Sequence, residues 1–313
     1  MVTYLRSGST LTADIIEQSN DVFYVYEPLH SFPQQIYYTE TQICNISTGD
    51  CRHPENELED PNVVKINLFN ILTCQFGNLT QRIYFDMRFH AKRSKAMNQY
   101  DKCRNNETHD ICIEQLEKLC HQKPIKSVKE IRITMEIANW LMGVIPNLKI
   151  IHLLRDPRGM LASQKSGHFI IDNAPTVAKA ACNRFQRDVL VTHKMSKIYP
   201  GRIKLIVYEE IAENPVQTLN KLYDFLGLTV SQNITNYVLN ITRSGKENNG
   251  YYNVVRSDSV KTAYKWRSNL NWQTVQQIDT ECKEFYELTG FKAFKNELNY
   301  QDTSFKTRDD TVY

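Results

Sequence analysis

The feature that most restricts the fold is a run of apolar residues that ends abruptly. Lys149-Ile150-Ile151-His152-Leu153-Leu154 shows almost no alternation of polar and apolar positions, and it stops at Arg155-Asp156-Pro157-Arg158-Gly159. Such a run is a strand buried on both faces, and Pro157 suits the first turn of a helix that starts near Gly159. The same strand–turn–helix unit opens the chain. Val2-Thr3-Tyr4-Leu5 ends in Arg6-Ser7-Gly8-Ser9-Thr10, after which Leu11, Ile15 and Ile16 recur at helical spacing and predict a helix to about Ser19. Val22-Phe23-Tyr24-Val25-Tyr26 reads as the next strand, closed by Glu27-Pro28. Further strands are predicted at Val128–Thr134 and Ile203–Tyr208. Helices are predicted at Val63–Phe76, Ile111–His121, Ile137–Val144, Val177–Tyr199 and from Asn214 to Gly227. This β-loop-α-β order, with about five strands, predicts an α/β protein: a parallel, P-loop-like sheet flanked by helices.

The 313 residues suffice for one large domain, and 41% hydrophobic against 23% charged residues excludes a disordered, collagen-like or coiled-coil chain. A single domain over residues 1–313 is expected, with polar insertions at about 39–62 and 90–125. A net charge of +3 and an isoelectric point near 8.3 are too mild for a dedicated nucleic-acid binder, yet they leave room for local basic residues around an anion. No run of about 18 apolar residues is present to span a membrane. Met1 is followed too soon by the Arg6–Ser9 turn for a signal peptide.

The cysteines and glycosylation sequons speak about compartment. There are eight cysteines, five of them between Cys44 and Cys112 in polar sequence, which favours disulfides in an oxidising lumen. Sequons begin at Asn45, Asn78, Asn106, Asn233 and Asn240. A zinc site drawn from Cys103, His109, Cys112, Cys120 and His121 lacks paired C-x-x-C spacing, and no metal is expected. A secretory chain without a targeting segment is read as truncated at its N-terminus. The favoured disulfides are local: Cys44 with Cys51, and Cys112 with Cys120.

Two strand-to-helix turns carry the chemistry. Ligands of such sheets bind beyond the carboxyl ends of the strands, where strand order reverses. At Arg6-Ser7-Gly8-Ser9-Thr10-Leu11, a glycine and small hydroxyl residues at a helix N-terminus offer backbone N–H groups and a dipole suited to an anion, with Arg6 adding charge. The same residues also fit a plain turn with a capped helix. The G-x-x-x-x-G-K-[ST] pattern of nucleotide triphosphatases is absent. At the second turn, Asp156 can cap the helix and Pro157 can occupy its first position. That leaves Arg155 and Arg158 crowded at a buried strand end, with Ser163 on the following helix. Two anion sites on neighbouring turns imply a nucleotide with phosphates at both ends.

Five stretches then resemble one family in one order: RSGST with DVFYVYEPLH, IIHLLRDPRGMLAS, IKLIVYEEIAENP, LYDFLGL, and AYKWRSNLNWQTVQQIDTECKEFYELTGF. They are similar to the Golgi carbohydrate sulfotransferases, most of all to the branch that sulfates the 6-hydroxyl of galactose, N-acetylgalactosamine or N-acetylglucosamine. The resemblance implies the sulfotransferase fold and the donor 3′-phosphoadenosine-5′-phosphosulfate (PAPS). It places the 5′-phosphosulfate loop on Arg6, Ser7, Gly8, Ser9, Thr10 and Leu11, and the 3′-phosphate site on Arg155 and Ser163. A late loop closing over the nucleotide falls on Arg256-Ser257 and Lys265-Trp266-Arg267, whose other reading is a cationic surface loop with a core tryptophan. Thr10 replaces the usual second serine, and Gly159 stands where the family often has alanine.

The resemblance also implies a glutamate base after the phosphosulfate loop. Glu27 fills that role, pointing from the end of the second strand into the same crevice, with His30 as the other candidate; turn capping before Pro28 is the alternative for Glu27. Glu209 and Glu210 are expected to cap the helix after the fifth strand. Arg6 with the loop amides would stabilise the departing phosphate. The implied acceptor is a glycosaminoglycan or an N- or O-linked chain, and the implied place is the Golgi lumen, behind an N-terminal anchor and stem missing here. Two other readings fit parts of the sequence: a phosphotransferase with an unusual loop, and a catalytically inactive glycan-binding relative. Acceptor identity and oligomeric state, a homodimer included, stay open.

Overall fold

The computed structural model describes residues 1–33, 35–169, 174–245 and 254–309. Among these, the strands in chain order are β1 (Val22–Tyr26), β2 (Ile36–Tyr38), β3 (Ile43–Asn45), β4 (Cys51–Arg52), β5 (Ile125–Lys129), β6 (Ile150–Leu154) and β7 (Ile203–Val207). β1 pairs with β5 and β6 with β7, all parallel. The N-terminal segment joins the two pairs. Val2 bridges both Glu130 and His152 in parallel sense, with Val2 N donating to Ile151 O at 2.9 Å and Thr3 N donating to Glu130 O at 3.2 Å. The order across the sheet is therefore β1, β5, the Val2 segment, β6, β7. The strand expected at Val2–Leu5 lies at the centre, shortened to a bridge at Val2 because the chain already turns where Ser7 N donates to Tyr4 O.

β1 and β6 are buried along their whole length, as unbroken apolar runs require. Helices follow at Ser9–Glu17, Met135–Val144, Pro157–Ser166, Ala174–Ile198 and Pro215–Leu226. The strand expected at Val128–Thr134 sits earlier, at Ile125–Lys129. Beyond Lys129 the chain peels off towards Tyr38, whose N–H donates to Arg132 O at 2.7 Å and whose carbonyl accepts from Thr134 N at 3.1 Å. The helix read as Val63–Phe76 runs from Pro61 to Leu72, started by the Asp60 side chain and Pro61.

Neither polar insertion is a mere surface excursion. Within residues 39–62, β3 and β4 pair with the preceding β2 in a small antiparallel sheet that buries Ile43 and Cys44. Residues 90–125 form helices Lys95–Arg104 and His109–Gln122, and Met97, Tyr100, Leu116 and Cys120 join the main core around β1.

The cysteines pair as Cys44–Cys51, Cys74–Cys120, Cys103–Cys112 and Cys182–Cys282. The expected Cys44–Cys51 bridge is present, and the expected Cys112–Cys120 bridge is not. Both residues lie on the helix His109–Gln122. Eight residues along a helix separate Cα atoms by about 12 Å, well beyond disulfide reach. Each therefore bonds a neighbour off the helix: Cys103–Cys112 ties the insertion's two helices together, and Cys74–Cys120 fastens the insertion to the segment after the helix Pro61–Leu72.

Candidate active site

The N-terminal turn follows from its residues. Arg6 and Gly8 both take left-handed backbone, φ 68° and 88°, which reverses the chain into the helix Ser9–Glu17. Position 8 demands glycine twice over: by that φ, and because a Cβ there would lie 2.1 Å from the Tyr208 ring. The Ser7 hydroxyl works inside the turn, donating to the Tyr4 carbonyl at 2.7 Å and bonded to the Thr3 hydroxyl. No side chain caps the helix. Its first amides, at Ser9, Thr10 and Leu11, thus present the open, positively polarised end that an anion suits. The turn is anchored below through Tyr4, whose hydroxyl lies 2.9 Å from His152 Nε2 and donates to Asp188 at 3.0 Å. Burial pushes His152 down to about 3, so its ring stays neutral.

Because the Val2 segment lies against β6, the second turn stands beside the first. Arg6 Nε donates to Ser163 Oγ at 3.0 Å, and Arg155 Nη1 donates to the Arg6 carbonyl at 2.8 Å. The Arg155 guanidinium sits 4.6 Å from the centre of the Tyr208 ring. Two buried donors here have no acceptor among the described residues: Arg155 Nε and Trp266 Nε1. Both flank Gly159, where an added Cβ would meet Trp266 Cδ1 at 2.9 Å and Arg155 Nε at 3.3 Å. That crowding accounts for glycine where the resembled family often has alanine.

Arg158 turns the other way. It is fully buried, doubly bonded to Asp156 at 2.9 Å, paired with Asp279 at 3.2 Å, and stacked on Trp266 and Phe294. One arginine of the Arg-Asp-Pro-Arg motif faces the site and the other holds the late segment to it. Asp156 caps its helix as read, bonding Arg158 N at 2.9 Å. Glu209 does not cap its own: the helix Tyr208–Glu213 has no side-chain cap, and Glu209 instead accepts from Asp156 N at 3.2 Å. Burial and the neighbouring Asp156 push the Glu209 carboxyl up to about 7.

The late patch divides. Arg256 reaches the donor side: burial lowers its pKa, Tyr208 opposes that, and the nearby Arg155 charge adds a smaller lowering. Trp266 is the buried wall beside Gly159, and Lys265 is exposed. Arg267 is turned to the C-terminal segment, donating to Asp302 O at 3.0 Å and Phe305 O at 2.5 Å.

Glu27 lies farther from the first loop than its place after the second strand implies, because β5 intervenes between β1 and the Val2 segment. It is buried, with a left-handed φ of 34°. Its carboxylate is ion-paired with Lys129 and, at 3.2 Å, with Arg132. His30 Nδ1 lies 3.8 Å away. Burial alone would raise the carboxyl; Lys129, His30 and Arg132 outweigh it and hold Glu27 well below the ordinary carboxylate range. Lys129 and Arg132 were missed in the sequence. Their signal was present, as charges set into a stretch that otherwise reads as a buried strand.

Between these two regions a cleft of about 550 Å³ opens beside Thr10, floored by Tyr24 and Tyr26 and edged by Glu17, Arg93, Ser94 and Lys95. The Tyr24 hydroxyl, fully buried, has no partner there. Among the described residues no cluster of three or more His, Cys, Asp or Glu is placed to hold a metal, and no helix is long and apolar enough to cross a membrane.

A parallel sheet whose central strand ends in an uncapped glycine turn, beside an arginine-lined second turn, offers two neighbouring places suited to anions. Comparison with known sequences agrees: the Sulfotransferase family matches residues 1–232, and the chain belongs to that family. Zebrafish (Danio rerio) carbohydrate sulfotransferase 1 is 25% identical over 350 residues, covering 98% of this chain and 81% of that protein. The human carbohydrate sulfotransferase 1 is 24% identical, over 96% of this chain and 80% of its own. Human carbohydrate sulfotransferase 2 is 21% identical, over 96% and 66%. Among solved structures, a mouse sulfotransferase in complex with PAP aligns over 95% of this chain and 84% of its own, at 15% identity and TM-score 0.43.

Proposed function

We propose that this sulfotransferase moves the sulfuryl group of PAPS onto a sugar hydroxyl, the 6-hydroxyl of galactose, N-acetylgalactosamine or N-acetylglucosamine, in a glycosaminoglycan or an N- or O-linked chain. The observation that carries this reading is the donor cradle: an uncapped helix start at Gly8, two buried donors at Arg155 and Trp266 without acceptors among the described residues, and the Arg6–Ser163 link between the turns. An anion at each turn would satisfy what the protein leaves open. The relatives' names supply the carbohydrate. The disulfides and sequons support a lumenal, Golgi setting behind an N-terminal anchor.

When bound, PAPS supplies the sulfuryl group and a phosphate leaving group. Arg6 and the amides of Ser9, Thr10 and Leu11 would face the 5′-phosphosulfate, with Ser7 and Gly8 shaping the loop. Arg155 and Ser163 would hold the 3′-phosphate, and Arg256 with Lys265 and Trp266 would close the nucleotide side, while Arg267 anchors that segment to the C-terminal residues. Sulfuryl transfer resembles phosphoryl transfer in that the protein mostly positions groups and stabilises spread charge. The acceptor hydroxyl must lose a proton as its S–O bond forms. Glu27 would accept it; Lys129 and Arg132 keep that carboxylate ionised while lowering its basicity, and His30 is the other candidate base.

The test is direct. Incubation with PAPS and a panel of Gal-, GalNAc- and GlcNAc-containing oligosaccharides should yield products heavier by one sulfate, located by mass spectrometry at a 6-position. PAP bound tightly with no glycan sulfated would leave the inactive, glycan-binding reading in its place.

A further inference from the structure

The helix Gln81–Phe89 buries Ile83, Asp86 and Met87 but turns two phenylalanines outward: Phe85 is 57% exposed and Phe89 64%. Large rings left in water, a helical turn apart, need a reason. They are also ordered into a row. The Phe85 and Phe89 rings lie 6.1 Å apart at 16°, and Phe89 lies 5.6 Å from His30 at 17°. Three nearly parallel rings thus step down from solvent to His30, whose Nδ1 is 3.8 Å from the Glu27 carboxylate. Arg82 fixes the outer end, lying 5.8 Å over the Phe85 ring and donating to Ser31 O at 3.1 Å. His90 closes the inner end edge-on to Phe89 and His30, and its Nε2 is buried without a partner. The Tyr26 ring, 5.0 Å from His90, also lines the cleft beside Thr10, so the row and the cleft meet.

We propose that Phe85 and Phe89 form a shelf for the acceptor saccharide, stacking the sugar unit next to the one that presents its hydroxyl to Glu27. A pyranose has an apolar face of C–H groups and a rim of hydroxyls. The row offers the matching pattern, with flat apolar rings outside and unpartnered imidazole nitrogens within. The shelf leads to the proposed base and away from the donor turns, which is the path an acceptor must take. A lipid surface or a second protein would use a broad apolar face, whereas two rings suit a single sugar. The proposal rests on the assignment of Glu27 to the acceptor side.

Phe89→Ala and Phe85→Ala should raise KM for an N-acetyllactosamine or chondroitin tetrasaccharide by about 10-fold, the scale of one aromatic stacking contact together with its buried area. PAP affinity and melting temperature should hold, since both rings are exposed, and Phe89→Trp should restore the wild-type KM. Unchanged KM in both alanine variants overturns the shelf. So does a weakening of PAP binding that matches the change in KM. If the wild type sulfates none of the panel, the functional reading falls by itself. The shelf is then read by NMR titration of the same tetrasaccharides, and equal binding by wild type and Phe89→Ala refutes it.

Discussion

On the donor side, the core of the cradle directly continues two neighbouring strands of the central sheet, Arg6 to Leu11 after the Val2 segment and Arg155 with Ser163 after β6, and the late segment adds Trp266 and Arg256. On the acceptor side, Glu27 takes its state from residues about a hundred positions away, Lys129 and Arg132, and its surroundings from the separate helix Gln81–Phe89. Two buried glutamates show what this difference does. Glu209, below the donor turns, has an acidic neighbour and is pushed up to about 7. Glu27, between two cations, is pulled the opposite way. Burial raises both; the company each keeps decides the sign. The core of the donor cradle is thus built from the ends of two neighbouring strands, whereas the acceptor side is assembled by tertiary packing.

The largest expected effect breaks the acceptor side. Glu27→Gln should lower kcat by roughly 10²–10⁴ if Glu27 is the general base, with PAP affinity unchanged. It should also destabilise the fold, because Lys129 would be left buried without its counter-charge. The double variant Glu27→Gln/Lys129→Met separates the two roles: melting temperature should recover and turnover should not. Near-normal turnover in Glu27→Gln, with turnover abolished in His30→Ala, would move the base to His30.

A smaller effect tests the donor side. Arg155→Ala should weaken PAP binding by about 1.5–3 kcal/mol, the usual size of a charge-assisted contact. The acceptor KM should hold, since Arg155 contacts the Arg6 carbonyl and Tyr208 and nothing near Glu27. Calorimetry with PAP on wild type and variant decides it. An unchanged affinity would separate the second turn from the nucleotide.

The same contrast explains what could be read from the residues. Strand–turn–helix units are local, so β1, β6, β7 and the two anion turns stand close to where apolar runs and turn residues put them. Strand order is not local. That β5 would slip between β1 and the Val2 segment, moving Glu27 a strand farther from the loop, depends on pairing across a hundred residues. Cys112 and Cys120 failed as a pair for a related reason: closeness in sequence along a helix is distance in space. Arg158 illustrates the reverse error. Its motif reads as two arginines at a site, yet only packing against Asp279, Trp266 and Phe294 reveals one of them as structural.

The smallest effect concerns Glu209 and stability. A carboxyl whose pKa is about 7 when folded and near 4.5 when unfolded holds its proton more firmly in the folded state. Stability should therefore fall as pH rises through that window, and the full penalty should be present above it. Glutamine carries no charge to desolvate, so Glu209→Gln should flatten the curve. One pKa unit is worth about 1.4 kcal/mol, so the shift sets a ceiling of about 3 kcal/mol. The new amide must itself find partners in a fully buried place, which returns part of that gain. A net stabilisation of about 1 kcal/mol at pH 8, vanishing near pH 4.5, is expected from thermal unfolding at the two pH values. Glu27→Gln should differ in sign at neutral pH, since it removes a carboxylate that its neighbours stabilise. If both variants shift melting in the same direction at pH 8, the opposite environments of the two glutamates are refuted, and with them the division of the site into two differently built halves.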